Sequence, residues 1–93
     1  MRVRYERGAL SDLEEIFAYV AEDDRAAAAR LVANIENAVK RIAANPRIGE
    51  TTRNARFRRL PVGKYLIVYE LGMDEVIIHY IRHGARRRSW EGE

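Results

Sequence analysis

The apolar positions of this chain change period once. In the first half they recur every three or four residues; in the second they alternate or run together. Leu10, Leu13, Ile16, Phe17 and Val20 form one stripe, and Ala28, Leu31, Val32, Ile35, Ala38, Val39 and Ile42 form another. Such spacing predicts two amphipathic helices. The first begins between Gly8 and Ser11. Ser11-Asp12-Leu13-Glu14 matches a capping box, and its acids suit the positive start of a helix. Glu22-Asp23-Asp24 interrupts the pattern as a short connection, with Asp24 placed to cap the next helix. The second helix runs from about residue 25 to 44. Its alanines, Ala26 to Ala29, favour helix and let a neighbour approach closely. Asn45-Pro46 stops it, because the residue before proline is pushed out of the α region. Two such helices on a short link predict an antiparallel hairpin.

Val3-Arg4-Tyr5 alternates ahead of Gly8 and predicts a short strand. Residues 46–52 are polar and turn-rich, hence loop. Three strands are expected next, at about 55–60, 65–71 and 75–82. Pro61-Val62-Gly63 and Gly72-Met73-Asp74 join them, and connections this short make antiparallel hairpins. In the middle strand Leu66 and Val68 face one way, and Tyr65, Ile67 and Tyr69 the other. Both faces are apolar, as expected of a central strand with helices on one side and partial cover on the other. The fold class predicted is therefore α+β. A helical hairpin packs on a small, mainly antiparallel sheet in the order β-α-α-β-β-β. The 93 residues suit one domain, 1–93. Beyond Arg86 the chain is polar apart from Trp90 and reads as a tail or a single helical turn.

Composition narrows the options. There is no cysteine, so neither a disulfide framework nor a thiolate metal site is expected, which fits a cytoplasmic protein. No signal-like leader and no apolar run near the ~18 residues of a membrane span is present, so no membrane role is expected. The net charge is +3, and it is unevenly placed. Residues 1–46 sum to −1 and residues 47–93 to +4, with five basic residues and no acid from Arg53 to Lys64. Either an anionic partner meets this half, or it is a solvated basic face. Arginines held on strands suit a polyanion or an acidic chain.

Few reactions have footing. His79 and His83 are the only histidines. Four apart on a strand, they would share a face but sit about 13 Å apart, too far for one ion. No metal and no cofactor is expected. Ser11 and Ser89 lack a nucleophile-elbow context, and no glycine-rich phosphate loop exists. Metal-free RNA cleavage needs a base, an acid and cations for the phosphorane charge. Arg58, Arg59, Arg82, Arg86 and His83 could supply the cations and one titratable group. The alternative is phosphate or carboxylate binding without turnover.

Four motifs stand in order along the chain. They are Ala9-x-x-Asp12-Leu13-x-x-Ile16-x-x-Tyr19, Asn45-Pro46-x-x-Gly49, Arg59-Leu60-Pro61-Val62-Gly63-x-Tyr65-Leu66-Ile67-x-Tyr69 and Arg82-His83-Gly84-Ala85-Arg86. Together, over about Val3 to Arg88, the chain resembles the RelE/ParE superfamily of bacterial toxins, and most of all its ParE, plasmid-stabilisation branch. The resemblance also favours the earlier start of the first helix. It implies the toxin of a type II toxin–antitoxin module, neutralised by a ParD-like antitoxin and meeting operator DNA only through that antitoxin. ParE-type toxins inhibit DNA gyrase, a protein target reached by binding and without catalysis; RelE-type relatives cut mRNA on the ribosome. RelE-type nucleases carry an arginine directly after the tyrosine of the central strand, where this chain has Leu66 after Tyr65. Their paired lysines are matched only by Phe57 and Arg59, and their catalytic tyrosine by Trp90 at best. Leu66 can neither donate to a phosphate nor stabilise its charge, which favours the ParE branch. A ribonuclease would instead rest on Arg59, Arg82, His83 and Arg86. A third possibility is an inactive relative that mainly binds its antitoxin. Candidate contacts to target or antitoxin are Arg56, Arg58, Arg59, Tyr65, Arg82, His83, Arg86 and Arg87.

Overall fold

The computed structural model describes residues 1–84; Arg86, Arg87 and Trp90 lie outside the described residues. The elements are β1 (Arg2–Tyr5), α1 (Arg7–Ala21), α2 (Arg25–Ala44), β2 (Glu50–Thr51), β3 (Phe57–Val62), β4 (Tyr65–Leu71) and β5 (Glu75–His83). The strands form one sheet in the order β1-β5-β4-β3-β2. Neighbours are antiparallel except β1, which runs parallel to β5. A parallel pair needs a long crossover, and the helical hairpin lies within it. The α+β expectation holds. β2 is the addition: Glu50 and Thr51 pair with Arg59 and Arg58 inside the stretch read as loop. Two residues are too few for any alternation to register.

Helix α1 starts at Arg7, ahead of the expected window. Its N-cap, Glu6, makes no side-chain cap, so the Ser11–Glu14 box does not begin the helix. The reason is tertiary. The Glu6 amide donates to Ile78 O at 2.9 Å, so the chain passes from the sheet edge straight into the helix. Asp12 serves the sheet instead. β1 pairs with β5 only as far as Ile78, which leaves the edge of residues 79–83 open. Asp12 accepts the Ile81 amide at 2.9 Å and Arg82 Nη1 at 3.3 Å, satisfying a strand edge from a helix. Helix α2 begins as predicted, with Asp24 Oδ1 accepting the Ala27 amide at 3.0 Å.

The main core lies between the hairpin and the sheet. Ala9, Ile35, Ala38, Val39 and Ile42 meet Ile67, Tyr69, Val76, Ile78 and Ile81 there. A smaller apolar group, Phe57 and Val68 with Leu66 and Tyr80 against them, occupies the opposite, far face. The middle strand thus sorts its side chains as its alternation predicts. β5 does not alternate cleanly. Val68 pairs with Tyr80 but Tyr69 with Ile78, so His79 is an extra residue in a bulge. The β3–β4 connection is a two-residue turn, Gly63-Lys64, closed by Val62 and Tyr65. Gly63 has φ +58°, the left-handed value a type II′ turn requires at its first position. Pro61 lies past the last β2 pairing, where no neighbouring strand requires its missing N–H.

Candidate functional site on the far face of the sheet

Residues paired across a sheet share a face, so the register builds the far face row by row. The first row is Pro61, Leu66 and Arg82; the second is Arg59, Val68 and Tyr80; the third is Phe57, Glu70 and Ile77, with His79 beside them. Val68 is fully buried and Phe57 9 % exposed. The centre of the face is therefore apolar and its charges lie around it.

Those charges are paired. The Arg82 guanidinium lies 4.8 Å over the Tyr80 ring and reaches Asp12, and its Nε is buried without a hydrogen-bond partner among the described residues. Arg59 Nε meets Glu50 Oε1 at 3.1 Å. Arg56 Nε meets Glu70 Oε2 at 3.1 Å, and the other Glu70 oxygen meets His79 Nε2 at 2.8 Å. The Arg56 guanidinium, with His79 behind it, holds the Glu70 carboxyl below its usual pKa. Phe57 closes the group, edge-on to the His79 ring at 5.0 Å.

The other sequence candidates point to the helix side. Arg58 pairs across the strands with Tyr69, and its Nη1 donates to Gly49 O at 2.8 Å and Arg47 O at 3.4 Å. Tyr65 and His83 are cross-strand partners, their rings edge to face at 5.3 Å. The bulge at His79 shifts the alternation of β5. His79 therefore faces away from the helices and His83 toward them, which corrects the expectation that both histidines share a face. Nor do the candidate basic residues share one face of the sheet. Arg56, Arg59 and Arg82 serve the far face and Arg58 the helix side, while His83, named for acid–base work, is separated by the sheet from Arg59 and Arg82. Among the described residues no group of three or more His, Asp or Glu is placed to hold a metal.

Asp12, Glu70 and His79 went unnamed as site residues. Glu70 could have been found as the one acid in an otherwise apolar strand. The placement of His79 follows from the bulge, which leaves no mark in the residue pattern.

Residues 3–88 match the family described as ParE toxin of type II toxin-antitoxin system, parDE. The chain belongs to the ParE toxin family. A curated relative, "Putative toxin Y4kP" of Sinorhizobium fredii (strain NBRC 101917 / NGR234), is 39 % identical over 79 residues, covering 83 % of this chain and 82 % of its own. The chromosomal ParDE toxin–antitoxin system from P. aeruginosa superposes with a TM-score of 0.77 at 24 % identity, over 89 % of this chain and 95 % of the other. The RelB-RelE antitoxin–toxin complex from Methanococcus jannaschii gives 0.60 at 17 %, over 94 % and 96 %. Both solved structures share the fold: two helices on a mainly antiparallel sheet. In this ParE-family chain, the residue after the first tyrosine of the central strand is Leu66, flanked on the far face by Pro61 and Arg82.

Proposed function

We propose that this ParE-family toxin arrests growth by binding a protein, DNA gyrase, through the far face of its sheet. In this reading the chain acts in the cytoplasm as one domain, residues 1–93, and a ParD-like antitoxin neutralises it. Leu66 at the centre of the first row carries the reading. Cleaving RNA requires cations aimed at the developing phosphorane charge. Leu66 offers none, and the arginines nearest it on that face, Arg59 and Arg82, already answer Glu50 and Asp12. The half-exposed Leu66 and Tyr80, resting on the buried Val68 and Phe57 and ringed by paired charges, offer apolar surface for a partner protein to cover instead. Purified protein should therefore abolish supercoiling by gyrase while leaving translated mRNA intact in primer extension. Codon-positioned cuts would favour a ribonuclease. Silence in both assays, with tight antitoxin binding, would leave a chain that mainly binds its antitoxin.

A further inference from the structure

At the turn end of β3 and β4 a shallow groove runs from the far face onto the sheet's end, where Tyr65 of the helix side also borders it. Pro61, Tyr65 and Leu66 line it with apolar surface, Arg59 and Lys64 bring cations, and Glu50 stands at its rim. Arg59 is already answered by Glu50. Lys64 is exposed and forms no ion pair among the described residues. Among the described residues nothing lies within 4 Å of where a Gly63 side chain would begin.

Resting on the target-binding reading above, we propose that this groove seats a short acidic segment of the target protein. An aliphatic or aromatic side chain of that segment packs on Leu66 and Pro61, and a carboxylate next to it meets the Lys64 ammonium. Three observations select this occupant. Lys64, the one cation of the groove with no ion pair among the described residues, suits a single carboxylate, whereas a nucleic acid brings a phosphate at every step and needs a row of cations. The floor is aliphatic, so it rewards burial of an apolar anchor. Pro61 has no N–H, so the outer edge of β3 offers an added strand one backbone bond fewer, and side chains must do the anchoring.

The test compares wild type with Leu66→Glu, Lys64→Glu and, at the far end of the sheet, Met73→Glu. Three readouts are used: growth arrest on induction, inhibition of purified gyrase, and affinity for the purified cognate antitoxin. Near-UV circular dichroism checks each fold, and Lys64→Glu, fully on the surface, covers the case in which Leu66→Glu does not fold. The groove variants should weaken arrest and gyrase inhibition at least ten-fold and antitoxin affinity less than two-fold, with Met73→Glu unchanged throughout. Wild-type potency in Lys64→Glu, or a ten-fold loss confined to antitoxin binding, overturns the groove and leaves the gyrase reading standing. Arrest that depends on Leu66 and Lys64 without gyrase inhibition overturns gyrase and keeps the groove. A wild type silent in both arrest and inhibition overturns both.

Discussion

Gly49 and Tyr69 show how a short motif can be structural. The Tyr69 hydroxyl donates to Pro46 O at 2.7 Å and accepts the Gly49 amide at 2.9 Å. Asn45-Pro46-x-x-Gly49 is thus a turn moored to the central strand by one phenol. Burial pushes that phenol's pKa up, so it stays a neutral donor and acceptor. A side chain at Gly49 would begin 2.7 Å from the Tyr69 hydroxyl and 2.8 Å from Arg59 O, closer than real contacts come. Tyr69→Phe leaves the buried Gly49 amide without its acceptor and should cost about 1–3 kcal/mol. Gly49→Ala must displace the turn as well and should cost more. Urea unfolding of the two variants gives the order directly, and a Gly49→Ala protein as stable as wild type would contradict the mooring.

At the scale of elements, helix α1 is where local signals and tertiary demands part. Both amphipathic stripes, apart from the exposed Leu10, were legible, as were the Asp24 cap, the proline stop and the four longer strands, because burial of one face imposes a period on the sequence. The capping box was a true pattern put to another use, since the open edge of β5 competes for Asp12. Asp12→Ala should destabilise by about 1–3 kcal/mol, the usual penalty for a buried amide left unmatched, and speed hydrogen exchange at Ile81. Asp12→Asn keeps an acceptor for that amide and should recover most of both effects. The candidate site was less legible than the fold. Its arginines stand out in the sequence, but their carboxylate partners come from elsewhere in the chain, as Asp12 does for Arg82. Pairing across such distances has no local signature.

At the scale of the whole molecule, the ion pairs set the response to acid. The folded pKa of Glu70 is depressed, so its contribution is present above the unfolded value of about 4.3. It is lost as pH falls through the lower folded value. Arg56 is the largest cause and is largely exposed. Arg56→Ala should therefore cost below about 1 kcal/mol at pH 7, and its deficit against wild type should shrink toward zero at lower pH. Thermal melts across that range would show it, and a deficit that grows in acid would contradict it. The parallel pairing of β1 with β5 has a different consequence. Arg2 finds its partner only at Glu75, so β1 has no place in the sheet until β5 is available. The helical hairpin and the β3–β4–β5 hairpins close over short spans, whereas the pairing of β1 with β5 closes over the longest. Loop closure over so long a span makes the joining of β1 to the sheet the step expected to limit its folding.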